Sequence, residues 1–144
     1  MPEINPPEDP NVVQARKDDP NPLVMYIIVR EELEMTAGKL GAQIGHAAQM
    51  ILLDYRDRSD HEESHQRLSS RVSLFTDWLN TSFRKIVKAA DEKEWKKVQE
   101  AVDYYVVRDA GLTEVEPNTE TVMVLWPMRR NDTPKVVSKL QNLK

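Results

Sequence analysis

The chain contains no cysteine among its 144 residues. This absence excludes a disulfide framework, a thiol nucleophile and a thiolate metal site, and it fits a reducing compartment such as the cytoplasm. No run approaches the roughly 18 apolar residues of a membrane span, and no signal peptide is visible, so we expect no membrane contact. A net charge of −4 excludes a generic basic coat for nucleic acid, although a local basic patch can still bind phosphates.

Apolar residues are scarce in the first 22 positions, and proline, acidic residues and asparagine replace them. Such a segment buries too little apolar surface to order itself. We therefore predict a flexible tail over residues 1–22 and a single domain over residues 23–144.

Short apolar runs alternate with helical patterns through this domain. The almost continuous apolar run at residues 23–30 predicts a strand covered on both faces. Further strands are predicted at residues 84–89, 104–108 and 121–126, and helices at residues 35–50, 68–80, 91–102 and 133–143. This order predicts a mixed sheet with helices on both faces.

The first predicted helix carries an unusual polar stripe. At 100° per residue, Lys39, Gln43, His46 and Met50 fall within about 60° of one another. A solvated helix face is the alternative interpretation of these polar residues. A separate face of Gly41, Gly45 and Ala48 is small enough for a neighbouring backbone to approach closely. Thr36 is the expected N-cap, with Lys39 at the third helical position.

The connection between the last two predicted strands is the second informative stretch. Asp109, Gly111 and Thr113 leave the end of a buried strand, where α/β folds commonly hold their sites. The alternative is a hairpin connection in which Asp, Gly, Pro and Asn only form the turn.

Two histidines, His61 and His65, stand four residues apart among acidic residues. That spacing can bind a metal, but no third ligand recurs at a suitable distance. We predict a solvated connection or helix start there and no metal site.

These motifs carry a family resemblance. Residues 38–48, GKLGAQIGHAA, resemble the GK-x-x-AQ-x-x-HA signature of the archaeal and eukaryotic class of peptidyl-tRNA hydrolase. Residues 108–117, RDAGLTEVEP, are similar to its DAG-x-T-x-x-x-P loop, and residues 85–91, KIVKAAD, are similar to its second strand. The blocks keep the family's order, and the resemblance covers residues 23–144.

The resemblance implies a three-layer α/β/α sandwich around a mixed, mostly parallel four-stranded sheet. It implies hydrolysis of the ester between a peptide and the 3′ ribose of tRNA, no metal or organic cofactor, peptidyl-tRNA as partner and a possible homodimer. It also implies functional positions, with catalytic roles at Lys39, His46, Asp109 and Thr113 and substrate-binding roles at Gln43, Lys88 and Thr121.

The chemistry of these side chains is consistent with ester hydrolysis, which needs a positioned water and a stabilised oxyanion. Our hypothesis is that Asp109 orients or deprotonates the water, that Lys39 keeps its carboxylate ionised, and that Gln43 and Thr113 position the substrate. His46 is either a proton shuttle or a buried, hydrogen-bonded histidine.

The tRNA phosphates require cations near the strand ends and the last helix. The candidates are Arg30, Arg84, Lys85, Lys88, Arg108, Arg129, Arg130 and Lys135. The chain departs from its relatives at Asn118, where they usually have glycine, and at Trp126, which either narrows a cleft or covers the core. The alternative function is a non-catalytic adaptor that binds tRNA or a protein on the same fold.

Overall fold

The fold is known from a computed structural model, which describes residues 10–64, 70–111 and 114–144. The described helices are α1 Pro10–Asp18, α2 Ala37–Ser64, α3 Ser70–Asn80, α4 Glu92–Ala101 and α5 Lys135–Ser138. The described strands are β1 Leu23–Arg30, β2 Arg84–Ala90, β3 Tyr104–Arg108, β4 Glu120–Leu125, β5 Met128–Arg129 and β6 Gln141–Asn142. None of these helices is long and apolar enough to span a membrane.

The strands form one mixed sheet in the order β3-β4-β1-β2-β6, with β5 paired to β1. The finer expectation of a mostly parallel, four-stranded sheet is not confirmed, because six strands are described and, of the paired neighbours, only β1 and β2 are parallel. The connection from β3 to β4 contains no helix, whereas a parallel neighbour needs a crossover of a dozen or more residues, usually helical. β5 and β6 are two-residue additions at the ends of the longer strands.

Both faces of the sheet are buried. Leu23, Met25 and Ile27 of β1 pack with residues of α2 and α3, whereas Val24 and Ile28 pack with residues of α4 and α5. Burial on both faces explains why β1 is apolar at consecutive positions rather than at alternate ones. The helices therefore divide between the two faces, with α2 and α3 on one and α4 and α5 on the other.

Helix α2 is much longer than the sequence predicted, because it continues through the polar residues that we expected to form a connection. Two i,i+4 pairs, Asp54 with Arg58 and Asp57 with His61, lie on this extension. Pairs at this spacing lie on one face of a helix and help a polar segment to remain helical.

The C-terminal helix is shorter than predicted. Helix α5 has four residues, and the chain then forms β6 against β2. This pairing covers a strand edge whose N–H and C=O groups would otherwise be unpaired, which favours the strand over a longer helix.

Helix α1 lies within the segment that the sequence predicts to be a flexible tail. Residues 1–9 lie outside the described residues, and α1 begins at Pro10. The division into a tail of residues 1–22 and a domain of residues 23–144 stays a prediction.

One edge of the sheet collects the ends of three strands. Val29 near the end of β1 is paired with Ala89 of β2 and with Val122 of β4, and Val122 is also paired with Val107 near the end of β3. Asp109 follows β3 directly at this edge. The start of α2 lies beside it, because Thr36 donates its backbone N–H to Glu114 in the loop that leaves β3.

Candidate active site

Asp109 and Lys39 form the centre of the site. The Lys39 Nζ atom lies 2.5 Å from Asp109 Oδ1, and the side chains are 13% and 7% exposed. Lys39 reaches this position from the first turn of α2, where Thr36 Oγ1 accepts a hydrogen bond from the Lys39 N–H at 3.4 Å. The predicted N-cap is thus confirmed, and it fixes the helix start from which Lys39 extends.

Two buried side chains, Gln43 and Thr121, hold the Asp109 carboxylate in place. Gln43 Nε2 donates to Asp109 Oδ1 at 3.3 Å, and Thr121 Oγ1 donates to Gln43 Oε1 at 2.5 Å. Gln43 is almost fully buried and Thr121 is fully buried. Thr121 therefore sets the orientation of the Gln43 amide, so that its NH₂ group faces the carboxylate.

The loop after β3 holds the other carboxylate oxygen. Gly111 donates its backbone N–H to Asp109 Oδ2 at 2.7 Å. The loop closes because Asn118 N–H donates to the Asp109 carbonyl at 2.7 Å and Asp109 N–H donates to the Thr119 carbonyl at 3.0 Å. Asn118 adopts a left-handed conformation (φ 65°), which asparagine tolerates better than most residues with a side chain.

The electrostatics of Asp109 favour an ionised carboxylate. The hydrogen bond from Lys39 lowers the pKa of Asp109 most strongly, burial opposes it, and the Gly111 N–H and the Gln43 amide lower the pKa further. Because the lowering contributions prevail, the carboxylate is charged and acts as an acceptor at neutral pH.

His46 lies one turn further along the same stripe of α2. It is exposed, in contrast to the buried histidine considered as one alternative, and it lines a cavity of about 450 Å³ between α2 and β3. This cavity is termed the α2–β3 groove, and its lining comprises His46, Gln49, Met50, Leu53, Val106, Val107 and Arg108.

Three other predicted site residues lie away from Asp109. Lys88 is two residues after Ile86 in β2 and therefore lies on the same face of the sheet, the one covered by α4 and α5. Its Nζ donates to the Leu140 carbonyl at 3.0 Å. Arg84 and Lys85 begin β2, at the opposite edge of the sheet. The Lys85 Nζ lies 5.0 Å from the centroid of the Trp78 ring, and burial lowers its pKa.

The remaining phosphate-binding candidates divide between the two edges. Arg30 and Arg108 lie at the Asp109 edge, where Arg30 Nη1 donates to the Glu120 carbonyl at 3.2 Å and Arg108 Nη2 lies 3.7 Å from Glu120 Oε2. Arg129 lies at the far edge with its neighbour Arg130, and Lys135 is on α5.

Thr113 and His65 lie outside the described residues. Within the residues that are described, no group of three His, Asp or Glu side chains is placed to hold a metal ion. Trp126 is 6% exposed and packs edge-on against Phe75 with ring centroids 5.8 Å apart, so it covers the core.

Two features of the site escaped the sequence reasoning. Glu114 accepts the Thr36 N–H at the start of α2, which supplies the carboxylate that a helix N-terminus favours. The α2–β3 groove was also missed, although His46, Gln49, Met50 and Leu53 recur at the i, i+3, i+4, i+7 spacing of one helix face.

Comparison with known proteins identifies the family of the chain. A family model described as Peptidyl-tRNA hydrolase PTH2 matches residues 23–143. A peptidyl-tRNA hydrolase of Methanopyrus kandleri is 31% identical over 124 residues, which cover 82% of this chain and 96% of the relative. Peptidyl-tRNA hydrolases of Thermoplasma acidophilum and of Methanococcus maripaludis strain C7 are 30% and 32% identical, over 83% and 81% of this chain and 97% and 96% of their own lengths. The chain therefore belongs to the PTH2 family of peptidyl-tRNA hydrolases.

Proposed function

We propose that this protein hydrolyses the ester that joins a peptide to the 3′ ribose of tRNA and so returns the tRNA for reuse. The observation that carries the proposal is the nearly buried Lys39–Asp109 pair at the sheet edge, formed by the two sequence motifs. Its relatives bear the name peptidyl-tRNA hydrolase, which favours an enzyme over the non-catalytic adaptor.

The reaction requires a water to attack the ester carbonyl, the ester C–O bond to break, and the leaving ribose oxygen to take up a proton. The attacking water gives up both of its protons, one to the ribose oxygen and one to solvent, so the products are a peptide carboxylate, a free 3′ hydroxyl and one proton. The lowered pKa of Asp109 makes its carboxylate a weak base that stays ionised at neutral pH, so its role is to orient the attacking water by accepting a hydrogen bond from it.

Lys39 assists the attack of the water on the ester carbonyl by stabilising the oxyanion that forms. Its ammonium has three N–H donors, and Asp109 occupies one of them. Among the described residues no other side chain accepts from them, so they can face the oxyanion that develops on the carbonyl, where a fixed positive charge lowers the barrier most effectively. Lys39 therefore both keeps Asp109 ionised and stabilises the transition state.

The surrounding residues hold Asp109 in place, transfer a proton and position the substrate. Gln43 holds the carboxylate in place and is itself held by Thr121, which makes Thr121 a positioning residue. His46 is exposed beside the reacting centre and is available to move a proton to the leaving oxygen. We also assign substrate positioning to Thr113.

Arg30 and Arg108 are the phosphate contacts that the proposal favours, because they lie at the edge that holds Asp109. Contacts from Lys88, Arg84 and Lys85 would involve parts of the tRNA remote from the ester. We further propose a cytoplasmic location and, by resemblance, a homodimer.

The test is release of N-acetyl amino acid from N-acetylaminoacyl-tRNA by the purified full chain. The control substrate is the methyl ester of the same N-acetyl amino acid, which offers the same bond without tRNA. We expect turnover of the tRNA ester at a kcat/KM far above that of the methyl ester. Absence of turnover, with tRNA still bound, would contradict the proposal and favour the adaptor.

A further inference from the structure

Apart from His46 and Arg108, the residues that line the α2–β3 groove have no part in the hydrolysis proposed at Asp109. The large hydrophobic side chains that the described residues expose most are Met50, Leu53 and Tyr104, at 36%, 62% and 37% exposure. Met50 and Leu53 both line the groove from α2, whereas Tyr104 lines a separate cavity with Arg58 and Trp126. Exposed apolar side chains gathered on one surface favour a binding site over a solvated surface.

The groove is continuous with the candidate active site. Gln43, bonded to Asp109, is followed at i+3 by His46, which lines the groove, and the stripe continues through Met50 to Leu53. On the β3 side the groove ends at Arg108, the residue before Asp109. A molecule that reacts at Asp109 and extends past His46 therefore enters this groove.

The strand side of the groove offers backbone groups. β3 is the end strand of the sheet and, among the described residues, pairs only with β4. Val107 is opposite Val122 of β4, and its carbonyl lies 3.4 Å from Thr121 Oγ1, so its backbone groups face β4. Because successive residues of a strand direct their backbone groups to opposite sides, Val106 presents its N–H and C=O to the outside.

We propose that this groove binds the peptide part of the substrate, as an added strand along β3. The proposal rests on the proposed function and names the subsite that it requires. A peptide released prematurely from translation has no fixed sequence, and backbone pairing with a strand edge recognises an extended peptide largely independently of its side chains. Met50 and Leu53 add apolar contact of low specificity.

The geometry sets the length and direction of the bound peptide. From His46 to Leu53 the helix rises about 10 Å, which matches about three residues of extended chain. With the ester at Asp109, the peptide runs from its amino end near Tyr104 to its carboxyl end beside Arg108, which is parallel to β3.

The lining favours a peptide over the 3′ end of the tRNA. Unpaired nucleotides bind to aromatic rings that stack on the bases and to several cations that contact the phosphates. Among the described residues, the groove is lined mainly by aliphatic side chains, and Arg108 is the one lysine or arginine of that lining.

The test compares two substrates, N-acetylaminoacyl-tRNA and an N-acetylated tetrapeptidyl-tRNA, in the full chain and in Leu53→Asp. A one-residue substrate does not reach Leu53, whereas the tetrapeptide does. We expect the ratio of kcat/KM, tetrapeptidyl over aminoacyl, to fall about tenfold in Leu53→Asp, since burial of a leucine contributes about that factor. The matched control is Lys97→Ala, an equal charge change at an exposed position of α4, which should keep the ratio.

An unchanged ratio in Leu53→Asp would overturn the inference, because the groove would then not contact the peptide. Equal losses for both substrates would also overturn it and would assign the groove to tRNA or to a second copy of the chain. Failure of the wild type on the one-residue substrate would instead refute the proposed hydrolysis, and the inference with it.

Backbone pairing has its own readout in the wild-type protein. N-methylation of the second or the third residue from the ester removes one peptide N–H, and only alternate residues of an added strand pair with β3. We expect one of these two substrates to lose turnover relative to the unmethylated peptide and the other to keep it. Equal turnover of all three would refute strand addition.

Discussion

At the scale of single residues, the Lys39–Asp109 pair is more informative about chemistry than about stability. A buried ion pair contributes little net stability, because the cost of removing both charges from water offsets their attraction. Removing one partner leaves an unpaired charge in a poorly solvated site. The pair is therefore best understood as a device that keeps a reactive carboxylate ionised and fixed in place.

The first prediction concerns the pH dependence of activity in Lys39→Met. In the wild type the pKa of Asp109 lies below its ordinary value of 3.8, chiefly because of Lys39. Activity that needs the carboxylate is present above that lowered pKa and is lost as the pH falls through it. Removing Lys39 leaves burial, which raises the pKa, so the acid limb of log(kcat/KM) against pH should move to higher pH.

The matched control is Lys97→Met, which replaces an exposed lysine on α4, on the other face of the sheet. Its acid limb should coincide with that of the wild type. An acid limb in Lys39→Met at the wild-type pH would show that Lys39 does not set the ionisation of Asp109.

The sequence identified these residues but not all of their neighbours. The motifs contain Lys39, Gln43, Asp109 and Thr121, and the fold brings all four together. The position of Lys88 was not predictable, because strand alternation tells which residues share a face but not which face holds the site.

At the scale of elements, the loop after β3 depends on backbone conformations that the sequence reveals only in part. Gly111 has φ +78°, and a Cβ added there would lie 2.5 Å from the backbone nitrogen of Pro117. The glycine is therefore required both by its left-handed conformation and by the close approach of the chain. Its N–H bond to Asp109 links this turn to the carboxylate that we propose orients the water.

The second prediction compares Gly111→Ala with Gly45→Ala. The clash and the positive φ should lower the free energy of unfolding of Gly111→Ala by more than about 1 kcal/mol and displace Asp109, with a loss of kcat. At Gly45 in α2, no heavy atom of the described residues lies within 4 Å of an added Cβ, so alanine should raise the free energy of unfolding by about 0.5–1 kcal/mol.

Chemical denaturation of both variants checks this prediction. A Gly111→Ala protein as stable and as active as the wild type would contradict the role of the turn. The sequence predicted that a neighbouring backbone approaches the small face of α2 closely. That prediction is corrected, because Gly41 and Gly45 face no close neighbouring backbone among the described residues.

Strand positions followed well from the sequence, whereas helix lengths did not. β1 and β3 have the predicted bounds, because each is an apolar run bounded by polar residues. The end of α2 and the length of α5 depend on weak side-chain pairs and on a strand edge contributed by β2, and a local pattern contains neither.

At the scale of the whole molecule, the protein is acidic, yet its proposed partner is a polyanion. The net charge is −4, so tRNA has to bind through a local group of cations at the Asp109 edge rather than through overall attraction. Of the candidate phosphate contacts named from the sequence, Arg30 and Arg108 lie there, and each also contacts the backbone or side chain of Glu120.

The third prediction is that kcat/KM for N-acetylaminoacyl-tRNA falls steeply from low to moderate salt. Each phosphate contact releases counterions, which adds about 0.7 to 0.9 to the negative slope of log affinity against log salt concentration. Arg108→Ala should reduce this slope, whereas Lys97→Ala should keep it. A salt-independent kcat/KM would contradict recognition through the phosphate backbone.

The central claim is that the carboxylate of Asp109, held by Lys39, carries the chemistry. The most direct measurement is single-turnover hydrolysis of N-acetylaminoacyl-tRNA by Asp109→Asn, with the tRNA affinity of the same variant measured by a binding titration. The account predicts a loss of at least about a hundredfold in the single-turnover rate with little change in affinity, as for a group needed only in the transition state. An Asp109→Asn protein that hydrolyses the ester at the wild-type rate would contradict the account.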